Sequence, residues 1–335
     1  MAIRLGIIGM GYTGQQHLWV TQKLQGMQAV VATDADPARL RDLPAGVRPV
    51  PDWRRVVEDP EVDAVTLCLP HAAHAEVGLA ALECGKHLLI EKPLAVDLTQ
   101  AEALAAAARA SGRVVMVEMT HRFYPPVRAG KALVESGRLG RVYAVEDCIV
   151  QRVEPGGLPA WMFDRAQAGG GVAMTNGVHM LDRMAWISGQ PLRFLSGRAG
   201  WTHGLGDVED TAAMLLELAD GTPAAFLAAW PLVRRQTDPA RDTADELTVY
   251  GTGGTLRIWS WRGWSFDAVD GQREEHDGYP EGTPRPERPR LGMAGALREF
   301  AAAIQQGRPA APGADEILKV QRLLDQFYRY VGVVT

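Results

Sequence analysis

The chain is poor in cysteine, and its three cysteines, Cys68, Cys84 and Cys148, lie far apart. No pair has a Cys-x-x-Cys spacing and no histidine cluster accompanies them, so we expect no metal site and reduced thiols in a cytoplasm. No stretch approaches the roughly 18–20 apolar residues that a membrane-crossing helix needs. The sequence enters a strand pattern within its first few residues, so we expect no signal peptide and a cytoplasmic protein.

Basic residues are not in excess. The 335 residues include 35 Lys and Arg against 40 Asp and Glu, which gives a net charge of −5. Nucleic acids and anionic membranes attract clustered Lys and Arg, so neither is expected as a main partner. With about 150 residues per domain as a guide, the length predicts two domains.

Apolar runs of strand length alternate with helical patterns up to about residue 120. Unbroken runs rich in Val, Ile and Leu are typical of strands buried on both faces of a parallel sheet. The predicted strands are Arg4–Ile8, Ala29–Thr33, Ala64–Leu69, His87–Ile90 and Val114–Val117, with helices at Thr13–Leu24, Ala72–Cys84 and Gln100–Ala110. Thr99-Gln100-Ala101-Glu102 has the spacing of a capping box. We therefore predict a doubly wound sheet whose ligand crevice lies at the carboxyl ends of its strands.

The loop Gly9-Met10-Gly11-Tyr12-Thr13-Gly14 follows the first strand and opens a helix. Glycines at this spacing allow a tight turn that holds a pyrophosphate against backbone N–H groups. Asp34 ends the next strand, where a carboxylate can accept hydrogen bonds from the adenosine ribose and repel a 2′-phosphate. This favours NAD over NADP. The alternative is that Asp34 only caps the turn Asp34-Ala35-Asp36-Pro37.

The pattern changes from about Val142, where longer strands alternate between apolar and polar residues and are separated by Gly, Pro and Asp. This favours a mostly antiparallel sheet with helices on one face. The predicted strands are Arg141–Arg152, Thr211–Leu218, Pro223–Pro231, Leu247–Tyr250 and Leu256–Trp261, followed by helices at Met293–Gln306 and Ala314–Val331. Gly251-Thr252-Gly253-Gly254 predicts a hairpin, and the Pro-rich stretch between Arg262 and Arg290 predicts a loop.

A glycine run, Gly169-Gly170-Gly171, precedes a helical pattern that extends to about Ile187. Thr175, His179, Asp182 and Trp186 follow at spacings that place them on one helical face, towards either solvent or a site. Gly177 inside this helix costs about 1 kcal/mol against Ala, which indicates that something packs closely there.

Several motifs together resemble the Gfo/Idh/MocA family, the glucose-fructose oxidoreductase and inositol dehydrogenase group. They are Gly9-x-Gly11-x-x-Gly14, Leu69-Pro70-x-x-x-His74, Gly85-Lys86-His87, Glu91-Lys92-Pro93, Arg122-Phe123, and Gly169-Gly170-Gly171 with Gly177-x-His179-x-x-Asp182. The resemblance covers nearly the whole chain. It implies an NAD-binding Rossmann domain at residues 1–121 and an α+β domain with an open, mostly antiparallel sheet at residues 122–335, for substrate binding and oligomerisation.

The resemblance also implies an active site in the cleft between the two domains. Lys92 would contact the nicotinamide ribose and the substrate hydroxyl, and the Lys-Pro bond is often cis in the family. His179, with an ordinary pKa of about 6.5, is then the natural proton acceptor, while Lys92 orients the hydroxyl. The implied cofactor-binding residues are Gly9, Gly11, Tyr12, Thr13, Gly14, Asp34, Leu69, Pro70, His71, His74, Glu91, Lys92 and Pro93.

One position departs from the family pattern. Similar dehydrogenases most often have an aspartate four residues before the histidine, whereas this chain has Thr175, which can bind a substrate hydroxyl but supplies no charge. The candidate substrate-binding residues are Thr175, Asn176, Asp164, Trp161, His121 and Arg122. Asp164 is equally suited to bracing its loop, and Arg122 suits a structural role. The acidic loop Asp207-Val208-Glu209-Asp210 could attract an amino-sugar cation or be a solvated turn.

The leading interpretation is an NAD-dependent dehydrogenase acting on a secondary alcohol of a sugar, cyclitol or amino sugar, or on the keto form. The alternatives are a redox-neutral NAD-dependent sugar enzyme of the glycoside-cleaving kind and a non-catalytic NAD-sensing regulator. The second sheet should have an exposed apolar face, with Val145, Ile149, Leu216 and Phe226 on it. Such a face is usually covered by another subunit, so we expect a homodimer or homotetramer.

Overall fold

The computed structural model describes residues 2–153, 156–232 and 243–333. The chain divides into two compact units. The first consists of Met1–Met119 with Met293–Gln321, and the second of Thr120–Gly292 with Arg322–Thr335. Among the described residues, no helix is both long and apolar enough to cross a membrane.

The first unit contains a parallel sheet of six strands in the order β3-β2-β1-β4-β5-β6. The strands are β1 (Ile3–Ile8), β2 (Met27–Thr33), β3 (Arg48–Pro49), β4 (Ala64–Leu67), β5 (His87–Glu91) and β6 (Val115–Glu118). The helices are α1 (Tyr12–Thr21), α2 (Trp53–Val57), α3 (His74–Glu83) and α4 (Leu98–Ser111). The predicted doubly wound sheet is confirmed, and the order reverses between β1 and β4, where such sheets bind their ligands.

The helix caps show where local chemistry sets the boundaries. Helix α4 begins at Leu98, earlier than the predicted Gln100, because Asp97 caps it by accepting hydrogen bonds from the Gln100 backbone N–H (2.8 Å) and side-chain amide (3.1 Å). The capping box predicted at Thr99 was therefore wrong, since the N-cap residue is an aspartate two residues earlier. The same helix ends at Gly112, which has a φ of 63°.

The C-terminal helices contribute to the first unit more than the sequence indicated. Helix α8 covers Arg288–Gln306 and α9 covers Ala314–Tyr330. Residues 293–321 belong to the first unit, although the predicted boundary placed all of 122–335 in the second domain. One physical reason is that β6 lies at the sheet edge, where the Val117 N–H donates to the Pro312 carbonyl at 3.0 Å.

The second unit contains an eight-stranded sheet in the order β14-β13-β12-β11-β7-β10-β9-β8. Its strands are β7 (Val142–Gln151), β8 (Leu192–Gly200), β9 (Thr211–Leu218), β10 (Pro223–Ala229), β11 (Thr243–Gly251), β12 (Gly254–Trp259), β13 (Gly263–Ala268) and β14 (Arg273–His276). Neighbouring strands are antiparallel except β7 and β10. The hairpin predicted at Gly251-Thr252-Gly253-Gly254 joins β11 and β12.

Three strands of this sheet lie where none was predicted. β13 and β14 fall inside the stretch 262–290 that was predicted to be a loop, and β8 follows helix α7 (Val178–Ser188). The residues of β8 and β14 are all half-buried or exposed, and β13 alternates polar with aromatic residues, so none of the three has the apolar run that marks a buried strand. These segments form strands because they hydrogen-bond to neighbouring strands, which their own composition does not indicate.

The two faces of this sheet are the reverse of the predicted assignment. Val145, Ile149, Leu216 and Phe226, predicted to be exposed, are all buried, none more than 3% exposed. The exposed apolar residues are their strand neighbours, including Leu215 (47%) and Leu227 (42%). Because side chains alternate between faces, an error of one residue in phase exchanges the buried and exposed sets.

Candidate active site

The glycine-rich loop after β1 brings backbone segments into direct contact. A Cβ atom on Gly9, whose φ is +95°, would lie 2.3 Å from the Cys68 carbonyl oxygen. A Cβ atom on Gly14 would lie 1.9 Å from the Gly9 carbonyl oxygen, so only glycine permits this packing of α1 on the loop. Gly11 precedes α1, Tyr12 begins it and is 71% exposed, and Thr13 is half-buried. The first turn of α1 thus offers backbone N–H groups suited to a pyrophosphate.

Asp34 holds this loop from the end of β2. Its carboxylate accepts hydrogen bonds from the backbone N–H groups of Met10 (2.6 Å) and Asp36 (2.8 Å). The turn-capping role is therefore present, and Asp34 also fixes the glycine loop. Arg39, which sequence reasoning missed, reaches Asp34 at 3.4 Å. A charged pair beside a predicted ribose site is compatible with hydroxyl recognition.

The segment after β4 carries Leu69 and Pro70, both half-buried, and His71 and His74, both buried. The two ring nitrogens of His74 lie 2.9 Å from the Pro93 carbonyl oxygen and 3.1 Å from that of Leu69. Burial, followed by the charge of Lys92, lowers the pKa of His74 to about 4, so its ring is neutral near pH 7. A neutral imidazole carries one N–H, so His74 donates to only one of these two carbonyl oxygens.

Lys92 follows β5, and its bond to Pro93 is cis. The Lys92 side chain is half-buried, and burial lowers its pKa, although the neighbouring Glu91 carboxylate opposes this. Burial and then the Glu118 carboxylate raise the pKa of Glu91 to about 7. The end of β5 thus places two groups with shifted proton affinities side by side, which is typical of a functional site.

Behind this strand end lies a cluster of three side chains, which we call the histidine cluster: His17, Glu91 and Glu118. Glu91 and Glu118 are register partners on β5 and β6, and their ligand atoms and that of His17 lie within 4.8 Å of one another. Burial lowers the pKa of His17, but Glu118 and Cys68 together outweigh it and raise the pKa well above its usual value. On its other side, His17 Nδ1 lies 3.0 Å from the Thr66 hydroxyl.

Residues of these types could hold a metal ion. However, His17 Nε2 lies 2.7 Å from Glu118 Oε2, which is the separation of a close ion pair. Two ligands about 2.0–2.1 Å from one tetrahedral ion would be farther apart than this. We therefore interpret the histidine cluster as an ion pair with an adjoining carboxyl group.

In the second unit, the helix predicted after the glycine run begins as a π-helical turn, Ala173–Gly177, and continues as α7. A π turn widens the backbone and is frequent at functional sites. A Cβ atom on Gly177 would lie 2.8 Å from the Phe226 ring, which confirms the close packing expected there.

Glu209 binds the backbone at the start of this helix. Its carboxylate accepts hydrogen bonds from the backbone N–H groups of Gly171 (2.9 Å) and Ala173 (3.0 Å) and from the Tyr328 hydroxyl (2.9 Å). Glu209 is 0% exposed, so this part of the acidic loop is neither a solvated turn nor a site for an amino-sugar cation. A Cβ atom on Gly170 would overlap the Tyr328 hydroxyl, at 1.8 Å, which explains one glycine of the run.

His179 lies on α7 and is buried against the turn Thr120–Phe123. The rings of His179 and His121 are stacked, with centroids 4.3 Å apart and planes 9° from parallel. The next residue, Arg122, forms a bidentate pair with Asp182 at 2.8 and 2.5 Å. Of the predicted candidates, His121 therefore contacts His179 directly. Arg122 contacts the same helix through its ion pair with Asp182, which is a structural role.

A second buried group of charges, which we call the arginine cluster, consists of Arg183, Asp147 and Asp245. Arg183 pairs with Asp147 through two hydrogen bonds and with Asp245 at 2.5 Å. Burial lowers the pKa of Arg183, but the two carboxylates outweigh it and raise the pKa above its usual range. Arg183 also donates to the Ser260 hydroxyl at 2.9 Å.

The other predicted substrate residues differ in their surroundings. Asn176 donates to the Gln151 side chain (2.9 Å) and accepts from the Trp230 indole (2.8 Å), so it ties the π turn to β7 and to the end of β10. Asp164 is exposed and caps α6 (Arg165–Ala168) by accepting from the Ala166 N–H at 2.9 Å, the bracing role. Thr175 and Trp161 are half-buried.

Sequence reasoning missed His17, Glu118, Arg183 and Asp147. The signal was available for Glu118, since a charged residue directly after the apolar run Val114-Val115-Met116-Val117 must find a partner when the strand end is buried. His17 gave no such signal, because it lies on a helix with no obvious apolar face.

Comparison with known proteins adds a family assignment to this geometry. Residues 3–119 match the model described as oxidoreductase family, NAD-binding Rossmann fold, and residues 127–257 match the GFO/IDH/MocA C-terminal domain model. Levoglucosan dehydrogenase of Pseudarthrobacter phenanthrenivorans is 27% identical over 56% of this chain and 52% of its own length. Inositol 2-dehydrogenase 2 of Saccharopolyspora erythraea is 31% identical over 66% of this chain and 65% of its own.

The chain thus matches about half to two thirds of the length of these relatives. Among solved structures, a levoglucosan dehydrogenase in complex with NADH and levoglucosan superposes with a TM-score of 0.85 at 21% identity, over 99% of this chain and 97% of that one. An oxidoreductase domain protein from Kribbella flavida gives 0.87 at 24% identity, over 99% and 97%. At these identities the structural likeness shows the fold.

Proposed function

The chain belongs to the Gfo/Idh/MocA family of NAD-binding oxidoreductases, and from that premise we propose that it is a dehydrogenase for a secondary alcohol of a sugar, cyclitol or amino sugar, or for the keto form. Relatives named levoglucosan dehydrogenase and inositol 2-dehydrogenase support this substrate class. The physiological direction is left open because oxidation and reduction use the same groups.

The residues have separate roles in this proposal. His179 takes the hydroxyl proton as the carbinol carbon gives up its hydride, and Lys92 orients the hydroxyl and stabilises the developing alkoxide. A nicotinamide held by the first unit would supply the hydride acceptor. The observation that carries the proposal is the position of Lys92 directly after β5, at the carboxyl ends of the parallel strands where the glycine loop also lies; burial there lowers its pKa, which suits a donor to an alkoxide.

For the cofactor, we propose NAD in preference to NADP. The loop Gly9–Gly14 and the start of α1 would hold the pyrophosphate, with Asp34 at the ribose. The fit is supported by the two glycine positions that leave no space for a Cβ atom. Arg39 at 3.4 Å from Asp34 is the group that could assist a 2′-phosphate if the carboxylate were removed. Asp34→Ala is therefore expected to raise the affinity for NADP relative to NAD.

The test is the formation of reduced nicotinamide with purified protein, NAD and a panel of cyclitols, aldoses and amino sugars, with NADP run in parallel. Turnover of one subset with NAD, and its loss in Lys92→Met while NAD still binds by calorimetry, is the expected result. NAD binding without turnover across the panel would instead favour the NAD-sensing regulator. Release of a glycoside aglycone with no net reduction would favour the redox-neutral enzyme.

A further proposal concerns assembly. Leu215 and Leu227 lie on the exposed face of neighbouring strands β9 and β10, where Leu215 pairs with Ala225 and Leu227 with Ala213. Exposed apolar residues grouped on a sheet are usually covered by a partner. We propose that a second copy of this chain covers this face, in a homodimer or a homotetramer.

A further inference from the structure

Strands β7 and β10 are parallel, so their carboxyl ends meet at one edge of the second sheet. Gln151 is the last residue of β7, and Trp230 directly follows β10. The π turn Ala173–Gly177 brings a third polar side chain, that of Asn176, to the same edge. We call these three side chains, which lie far apart in the sequence and within one unit, the polar triad.

Hydrogen bonding fixes the direction of both amide groups in the polar triad. An indole N–H can only donate, so Asn176 Oδ1, which lies 2.8 Å from Trp230 Nε1, is the acceptor. The Asn176 amide nitrogen then faces Gln151 and donates to its Oε1 atom at 2.9 Å. The Gln151 amide nitrogen therefore points away from Asn176. Among residues 2–153, 156–232 and 243–333, no oxygen accepts a hydrogen bond from it.

Trp230 gives the polar triad a fixed starting point. It is 1% exposed, and its ring packs edge-on against Phe163 with the centroids 6.1 Å apart. Its backbone N–H donates to the Asp210 carbonyl oxygen at 2.8 Å. Glu209, next to Asp210 in the chain, binds the backbone at the start of the π turn. The same loop thus holds the indole and the turn, so the Gln151 amide is oriented before a ligand arrives, which lowers the cost of binding one.

The polar triad lies beside the proposed base. At one end of the helix, Asn176 is bound by Gln151. Further along, Arg183 is bound by Asp147, four residues earlier on the same face of β7. His179 follows Asn176 by three residues and precedes Arg183 by four, and residues at these spacings are neighbours on a helix surface. His179 therefore lies between the two points at which the helix is bound to β7.

We propose that Gln151 is a specificity-determining residue that donates a hydrogen bond to a hydroxyl oxygen of a polyol substrate, other than the hydroxyl that reacts. This inference rests on the proposed function. Gln151 is half-buried and its amide is uncharged, so it suits a neutral acceptor such as a hydroxyl oxygen. Asn176 and Trp230 are positioning residues, because they act on the substrate through the direction in which they hold the Gln151 amide.

Two nearly isosteric substitutions test the donor and its direction. Gln151→Glu keeps an oxygen that accepts from Asn176 and removes the donor. We expect the KM for the polyol to rise about tenfold, with kcat within about twofold and the KM for NAD unchanged, because binding alone is weakened. Asn176→Asp still accepts from Trp230 but cannot donate, so the Gln151 amide should turn its nitrogen towards it and present an oxygen to the substrate. The KM for the polyol should rise in this variant too.

Gln272→Glu is the matched control. Gln272 is exposed and lies directly before β14, so this variant makes the same chemical change and the same change in net charge away from the polar triad. Its KM values should equal those of the unmodified protein. Equal KM values for the polyol in Gln151→Glu and Gln272→Glu would overturn the proposal, and so would a fall in kcat without a rise in KM.

Deoxygenated substrates identify the hydroxyl that Gln151 contacts. Analogues of the turned-over polyol that each lack one hydroxyl are compared in the unmodified protein and in Gln151→Glu. We expect one analogue to lose about tenfold in kcat/KM with the unmodified protein and much less with the variant, because its partner is already missing there. Losses that are the same in both proteins for every analogue would contradict a direct contact.

A titration followed by NMR separates this inference from the proposed function. The side-chain amide signals of Gln151, assigned by their loss in Gln151→Glu, are followed as myo-inositol, D-glucose or D-glucosamine is added to the protein with NADH. A shift at Gln151, without one at Gln272, supports the contact. If no polyol is then turned over, the proposed function fails and the inference stands. Turnover without a shift would overturn the inference alone, and the absence of both would overturn both proposals.

Discussion

The histidine cluster of the first unit and the arginine cluster of the second have the same composition in charge: one basic group and two carboxyl groups, buried together. In the first, His17 pairs with Glu118 while Glu91 lies next to them. In the second, Arg183 forms ion pairs with both Asp147 and Asp245. The two clusters differ in whether the basic group always keeps its charge, because histidine can lose its proton near neutral pH and arginine cannot. In the first cluster the basic group itself titrates, whereas in the second Arg183 stays charged and the response to pH comes from Asp147, where burial raises the pKa to about 6 despite the opposing Arg183 charge.

The largest effect is expected from removing the permanent charge. Arg183→Met leaves two buried carboxyl groups without their partner, which should cost about 3–5 kcal/mol of unfolding free energy. Urea unfolding measures this cost. Arg193→Met is the control, since Arg193 forms an exposed pair with Glu217 and should cost less than about 1 kcal/mol. Equal costs in the two variants would mean that the arginine cluster contributes no more than a surface pair.

Removing the lysine beside the histidine cluster should affect chemistry more than folding. Lys92→Met is expected to reduce kcat about 100- to 1000-fold, because a positioned donor to a developing oxyanion is worth this much. The unfolding midpoint should change little, since the side chain is half-buried with a pKa already lowered by burial. A variant with near-normal kcat, measured with the substrate found in the panel, would remove Lys92 from the mechanism.

The pH response of the histidine cluster can be isolated with Glu118→Gln. Glu91 has a pKa raised to about 7 when folded, so its ionisation costs stability as pH rises from about 4.5 to 7. His17 has a raised pKa, so its pairing contributes stability below about pH 6.5 that is lost as pH rises through the folded pKa. Both signs agree, and the thermal midpoint of the unmodified protein should fall between about pH 5 and pH 9.

In Glu118→Gln this fall should be smaller, because His17 has lost its charged partner and Glu91 its repelling neighbour. The comparison variant is Asp245→Asn, whose destabilisation should be nearly the same at pH 7 and pH 9, since Arg183 stays charged throughout and Asp147, with a pKa raised to about 6, is ionised there. Thermal unfolding followed by circular dichroism at several pH values gives both curves. Parallel curves for all three proteins would show that the two clusters do not differ in pH response.

The smallest effect on the fold is expected far from both clusters. Leu227→Lys on the exposed sheet face should change the unfolding free energy by no more than about 0.5 kcal/mol. It should nonetheless dissociate the proposed oligomer, because a buried unpaired lysine is costly at an interface. Light scattering after size exclusion measures the mass, and an unmodified protein that is a monomer would refute the assembly proposal.

The same contrast explains what could be predicted from sequence. The buried strands of the first unit follow from uninterrupted Val, Ile and Leu runs, and the glycine loop follows from positions where no Cβ atom fits. Strands β8 and β14 could not be predicted because pairing with neighbouring strands orders them, and their own composition does not. The phase of the second sheet was also wrong, since alternating segments give no absolute reference for which face is buried.

For the candidate site, motifs predicted Lys92 and His179 but not what surrounds them. The ring stack between His121 and His179 and the ion pairs of Arg183 join a helix that begins with a π turn to segments distant in sequence. Local residue spacing does not encode such contacts. A charged residue at the end of an apolar strand, as at Glu118, was a signal that pointed to a buried partner.

The hydrogen bond from Tyr328 to Glu209 has a consequence for how the chain must be handled. Glu209 also receives the backbone at the start of the helix that carries His179, so the carboxyl-terminal helix α9 is connected to that histidine through a single carboxylate. Shortening the chain before Tyr328, or fusing a bulky tag directly after it, would remove or strain this hydrogen bond. The start of the helix that carries His179, the proposed base, would then lose part of its support. An affinity tag on this protein belongs at the amino terminus.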